Sequence, residues 1–380
     1  MARLLVIVSS AVFVDAALFG AIVPLIPGFA DDYDLSKVEA GLLVGAYGAG
    51  ALLGGIPCGA LSSRIGSKNA VVLGLAVLAV SSVAFAVGGS PLALGMARLA
   101  QGLSSALTWA GALAWLVADA PPGRRGSVLG TAFSFAIVGF VCGPFIGGVA
   151  GLVSIRWTFV ACAVVGGALA LAAFAQPAAR VEERTLGSVR RALHDRAFLA
   201  GLWLSLLPAL LFGMVDVLVP LALDDAGYGV AAVTAVFVAA GLTEAVVNPI
   251  TGHISDRRGR LLPIRVGLAA STVVAVLFAA FPEPPVVIGL VIAAAVTFGG
   301  FYAPGISLVS IRADVARLSQ SFGFGVMNTA WATGALLGPF LGGALADGVG
   351  EPAPYLLAGS LCALTFVALA IAVPRPVRTA

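Results

Sequence analysis

The sequence predicts an all-α polytopic membrane protein whose twelve transmembrane helices form two six-helix, pseudo-symmetric bundles. Three observations predict it: too few charges to cover a water-facing surface, apolar runs long enough to cross a bilayer, and a six-span pattern that recurs. Of 380 residues, 60% are hydrophobic and 10% are charged, whereas a soluble domain carries about 25% charged residues. Met1–Phe29 is interrupted by charge at Arg3 and Asp15, and Ser127–Ser154 carries none; about 20 apolar residues cross a bilayer. In lipid, every backbone N–H and C=O must be satisfied within its own segment, so these runs are helices. A β-barrel would show alternating segments of about ten residues, a pattern the chain lacks. The first run is too long for a signal peptide and many more follow it, so it is a retained first helix.

In chain order the spans fall near 4–28, 39–61, 70–88, 92–118, 127–152 and 157–175, then 199–222, 230–250, 263–281, 286–309, 321–346 and 355–374. Residues 1–175 form an N-terminal bundle, 176–198 a cytoplasmic linker and 199–380 a C-terminal bundle. With the N-terminus inside, inner segments hold 18 arginines and lysines and outer loops hold two, Lys37 and Arg156. The positive-inside rule then sets both termini in the cytoplasm.

The repeat is the most informative feature. Gly139, Gly143, Pro144, Gly147 and Gly148 in the fifth span recur as Gly334, Gly338, Pro339, Gly342 and Gly343 in the eleventh, 195 residues on. Gly59, Arg64 and Gly66 after the second span recur as Gly252, Arg257 and Gly259 after the eighth, joined there by Asp256. Pro24-Leu25 returns as Pro220-Leu221. A unit with an even number of spans keeps its orientation when repeated, giving parallel halves about an axis along the membrane normal. A lone Gly-x-x-x-Gly says only that helices pack closely. A ten-residue pattern matched at the corresponding span of each half is a repeat, and it predicts close helix contacts in both.

Four ionisable residues lie well within spans: Asp15, Arg98, Asp216 and Glu244. Each costs about 2.5–3.5 kcal/mol on insertion scales, so such residues face a bundle interior or an aqueous cavity. Asp15 lies about 16 Å along its helix from Leu4, near mid-membrane. A direct Asp15–Arg98 charge pair explains both residues; Asp15 is then either a structural partner of Arg98 or the group that carries a proton or contacts substrate. Asp216 sits in the outer half of its span, and Glu244 and Asn248 share a helix face at i, i+4. Tyr47, Gln101, Trp109, Tyr302, Asn328 and Trp331 are candidates for an otherwise apolar substrate cavity, against the commoner role of such residues in packing and helix–helix bonding. The four cysteines fall inside apolar runs without metal or disulfide spacing, and both histidines lie in basic loops. No metal site, cofactor or nucleic-acid surface is expected, no phosphate-binding loop for ATP is present, and the missing catalytic acids and interior histidine argue against an enzyme.

On these residues the chain resembles the major facilitator superfamily over essentially its whole length. Gly59–Lys68 is similar to that family's loop signature between spans two and three, Arg98-Leu-Ala-Gln101-Gly102 to its fourth-span signature, and Gly139–Gly148 to its fifth-span antiporter signature. Asp15 with Pro24 and Pro27 resembles the first span of twelve-span drug:proton antiporters, a pattern that vesicular amine transporters share. Ser63 and Ser67 depart from the loop signature, which has an aspartate and a basic residue there, so the family's cytoplasmic latch is expected to rest on Asp256 in the second half. The resemblance implies a monomeric cell-membrane secondary transporter: proton-coupled antiport exporting small hydrophobic or cationic compounds by alternating access. The alternative on the same fold is transport of a sugar, organic acid or other metabolite.

Overall fold

The computed structural model describes residues 2–121, 124–178, 194–315 and 320–372, and everything described is helix or short connection. The first half holds α1 (Ala2–Gly20), a 3-10 turn (Val23–Leu25), α2 (Ile26–Tyr33), α3 (Lys37–Ile65), α4 (Ser67–Val87), α5 (Pro91–Asp119), α6 (Arg125–Leu152) and α7 (Ile155–Phe174). The second holds α8 (Arg196–Asp225), α9 (Val230–Arg258), α10 (Leu261–Ala280), α11 (Pro284–Gly299), α12 (Tyr302–Val315), α13 (Gln320–Gly348) and α14 (Pro352–Ala372). Helix stands at every predicted span. Among the described residues, ten segments are long and apolar enough to cross a membrane by length and composition. The other two predicted spans are α5 and α13; α5 buries Arg98, Gln101, Ser104, Ser105 and Thr108 inside the bundle.

Two spans are interrupted where continuous helices were expected. Proline lacks an N–H and its ring opposes the carbonyl four residues back. Pro24 thus confronts Gly20, where α1 ends, and Pro304 confronts Gly300, just past the end of α11. The helix starts are capped as their sequences dictate. Ser36 and Glu39 form a reciprocal capping box on α3, Ser90 and Ser154 cap α5 and α7, and Asp195 accepts from the N–H groups of Ala197 and Phe198 at α8. The loop-signature glycines behave alike in both halves: Gly66 after α3 has φ 87° and Gly259 after α9 has φ 83°, a left-handed conformation that favours glycine.

Within the first half α1 packs on α6, and α5 on α3 and α4; within the second α8 packs on α13 and α12, and α10 on α14. The halves meet chiefly where α3 lies on α13 and α6 on α9. The repeated glycines make these approaches, as expected. A Cβ added to Gly139 would lie 2.9 Å from the Ala16 Cβ, to Gly143 2.8 Å from the Ala17 carbonyl oxygen, and to Gly147 2.9 Å from the Ala21 carbonyl carbon, all on the first span. Gly334, Gly338 and Gly342 meet α8 in the same way, at Leu206, Leu210 and Met214. The second glycine of each pair does something different. Gly148 packs on Thr234 of α9 and Gly343 on the Lys37 main chain at the start of α3, each in the opposite half.

These contacts gather at one face of the bundle, where the connections 34–36, 226–229 and 349–351 lie. There Lys37 forms an ion pair with Glu351, and Asp347 accepts the Val38 N–H at 2.9 Å. The other face carries the exposed Arg64, Arg124, Arg257 and Arg258. Nearer to it a smaller apolar cluster joins Leu113, Val117 and Leu129 to Phe198, Val309 and Met327.

Candidate functional site

On α5, Arg98, Gln101, Ser105 and Trp109 recur at spacings of three and four, which puts them on one helix face. That face meets Asp15 of α1 and Tyr47 of α3. Asp15 is 2% exposed and accepts three hydrogen bonds: from the Tyr47 hydroxyl at 3.0 Å, the Ser105 hydroxyl at 2.8 Å and the Trp109 indole N–H at 2.8 Å. All three donors are neutral.

The expected direct Asp15–Arg98 pair does not form. The Arg98 guanidinium donates instead to the Leu18 carbonyl at 2.8 Å, the Phe19 carbonyl at 3.1 Å and the Gln101 side-chain oxygen at 3.0 Å. The reason is the break in the first span. Carbonyls at a helix C-terminus lack helical partners and carry partial negative charge; α1 ends at Gly20, and Arg98 caps it. Between the two charged groups lies Tyr47, whose hydroxyl holds Asp15 and whose ring sits 4.9 Å from the Arg98 guanidinium carbon.

Next to this network four rings from both halves converge. Phe19 lies 5.1 Å from Tyr47, 5.8 Å from Phe140 and 5.1 Å from Trp331 of α13, ring centre to ring centre. Trp331 and Asn328 are half-buried, as a cavity lining would be. Tyr47 and Gln101 are not: at 1% and 0% exposure they are sealed among α1, α3 and α5.

The second half holds a separate acidic site. Glu244 of α9 accepts from the Asn248 amide at 3.4 Å, and its carboxyl lies against Gly299, where α11 ends; a Cβ there would sit 3.0 Å from Oε1. Asp216 of α8 and Tyr302 of α12 lie within the electrostatic reach of Glu244. Among the described residues neither Asp216 nor Glu244 joins an ion pair, and both are half-buried. Sequence reasoning thus placed the acids correctly in spans but missed Ser105, Phe19, Phe140 and Gly299. Ser105 was visible in the three–four spacing on α5, and Phe19 as the residue one turn beyond Asp15.

Residues 8–324 match the Major Facilitator Superfamily. The chain belongs to this family. Solved structures share its architecture. A bacterial homolog of the human lysosomal transporter Spinster, in an inward-facing and unoccupied conformation, superposes with TM-score 0.74 at 14% identity over 98% of this chain and 95% of that one. The human organic anion transporter MFSD10 (TETRAN) gives 0.70 at 18% identity over 97% and 99%. Among curated proteins, the quinolone resistance protein NorA of Staphylococcus aureus is 29% identical over 155 residues, 41% of this chain and 39% of NorA. The transporter ppzB of Metarhizium rileyi is 28% identical over 151 residues, 38% and 31%. The matched segment therefore spans well under half the length of either relative. Of the facilitator loop signature, Arg64 and Arg257 are exposed and Gly59 and Gly252 have open space where a Cβ would point. The Asp256 side chain, on which the cytoplasmic latch was expected to rest, and most of the 176–198 linker lie outside the described residues.

Proposed function

We propose that this facilitator chain is a proton-coupled antiporter that exports small hydrophobic or cationic compounds by alternating access between two bundles, residues 1–175 and 199–380. The observation that carries the proposal is Asp15: a carboxyl group near mid-membrane depth, almost wholly buried, held by three neutral donors and, among the described residues, by no ion pair. Burial opposes the charged form, and hydrogen bonds donated to a carboxylate favour it. A group balanced in this way takes up or releases a proton when a donor moves, as a coupling acid must. The positive charge of Arg98 is committed to the end of α1, so the acids Asp216 and Glu244 set the sign of the accessible interior, and that sign suits cations. The partial likeness to NorA supports an efflux role. The arginine-rich face is cytoplasmic by the positive-inside rule, in the cell membrane, and a single chain supplies both halves, so the monomer suffices.

The test uses purified protein in liposomes with an imposed pH gradient and a fluorescent hydrophobic cation. Wild type should concentrate the cation. Asp15→Asn should bind it at equilibrium yet fail to concentrate it. Gradient-driven accumulation by Asp15→Asn would overturn the assignment.

A further inference from the structure

Of the three groups that hold Asp15, two ride on α5 and one on α3, and these helices differ in what else they touch. The α3 segment around Tyr47 is gripped from both sides. In its own half, Gly102 of α5 faces the Tyr47 main chain so closely that a Cβ there would lie 2.9 Å from the Tyr47 carbonyl carbon and 2.7 Å from the Ala51 nitrogen. One residue further on, Gly48 faces the other half: its Cβ would meet the Leu336 nitrogen at 2.5 Å and the Ala335 carbonyl carbon at 2.6 Å on α13. Gly45, one turn earlier, meets the Leu336 carbonyl oxygen at 2.9 Å. Backbone-to-backbone contacts of this kind cannot be relieved by a side chain turning aside, so a movement of α13 reaches the α3 main chain directly.

We infer that Tyr47 is the positioning residue through which Asp15 registers whether α3 and α13 are closed on each other. Its hydroxyl supplies one of the three donors to Asp15, and its ring is buried against Arg98 and Phe19, leaving no face for a ligand. Ser105 and Trp109 ride on α5, which α13 only grazes, whereas α13 lies along α3, so separation of the halves acts on the Tyr47 donor first. This assignment rests on Asp15 as the coupling acid. The groups facing Asp15 are Tyr47 from α3, and Ser105, Trp109 and, beyond the Tyr47 ring, Arg98 from α5. The other helices packed on α1 bring no charge near it: α4 carries only Lys68, α6 only Arg125 and α7 only Arg156, each in its first turn.

The experiment is a double-mutant cycle read by the pH profile of exchange in liposomes. Tyr47→Phe keeps the ring and removes the hydroxyl. Loss of one hydrogen bond to a charged group should move the pH of half-maximal exchange upward by about one unit, with equilibrium binding of the cation unchanged. Ser105→Ala should do the same. Gly343→Ala, which wedges α13 away from the start of α3, should also move the midpoint in wild type and in Ser105→Ala, but not in Tyr47→Phe, where the donor it acts through is gone. Equal Gly343→Ala shifts in all three backgrounds, or none in wild type, would overturn the role of Tyr47. A wild-type pH profile in Asp15→Asn would instead defeat the Asp15 reading beneath it.

Discussion

Replacing Gly343 with alanine is expected to pry α13 off the start of α3. The added carbon would lie 2.5 Å from the Lys37 carbonyl carbon and 2.7 Å from the Val38 Cα, where comfortable carbon–carbon contact begins near 3.5 Å. The two helices must therefore separate by about 1 Å. Both obstructing atoms are main chain, so no rotamer change relieves them, and the 2.9 Å bond from the Val38 N–H to Asp347 is stretched as well. Overpacking of this kind costs about 1–3 kcal/mol, a shift of about 5- to 150-fold in the ratio of closed to open contacts. Gly342→Ala is the paired control. Its Cβ would meet the Met214 Cα at 3.2 Å, a misfit of a few tenths of an ångström within the half and not between halves. Spin labels at Val153 and Val349, exposed positions on the same face in opposite halves, would report the change by double electron–electron resonance. Gly343→Ala should broaden and lengthen the distance distribution, and Gly342→Ala should leave it alone. Identical distributions for Gly343→Ala and wild type would refute the claim that this glycine holds the face shut.

Two further expectations separate structural from coupling roles. Arg98→Gln should lower the melting temperature through loss of the bonds to the Leu18 and Phe19 carbonyls, worth about 3 kcal/mol together, and Asp15→Asn should not restore it; full rescue in the double variant would mean that the two residues are a direct charge pair after all. Outside the membrane, the Arg312 guanidinium donates to Asp195 and holds its carboxyl below the usual carboxylate value. A depressed carboxyl stabilises the fold above its unfolded value of about 3.9 and loses that contribution as the pH falls through the folded one. Asp195→Asn, which keeps the cap, should therefore melt slightly below wild type at pH 6, by no more than about 1 kcal/mol for so accessible a pair, with the gap closing below about pH 4. A gap that does not change with pH would show that the pair carries no such linkage.

The spans and the repeat were legible because they rest on composition and period, which a one-dimensional string carries in full. The breaks were legible only in part. The proline rule that ends α1 at Gly20 applies equally to Pro57, Pro144, Pro208, Pro220, Pro249 and Pro339, all of which the helices absorb. Which proline interrupts a span depends on whether neighbours take over the freed carbonyls, as Arg98 does for Leu18 and Phe19. The same dependence hid the true partner of Arg98. Two charges at similar depth suggest a pair, but the end of α1 offered the arginine a better site, 80 residues away in sequence. The polar face of α5 could be read from spacing alone. The partners of the repeated glycines could not, since each lies on another helix far along the chain.

The paired glycines at 147–148 and 342–343 divide their work between adjacent codons. A larger side chain at Gly147 or Gly342 disturbs the assembly of one half, so a screen scored by how much protein reaches the membrane would reject it. At Gly148 or Gly343 the damage falls on the contact between finished halves, and a screen scored by survival on a toxic substrate would be the one to notice. Neighbouring positions in one motif would thus answer to different selections, and a variant library sorted by both readouts would divide the motif between its two glycines.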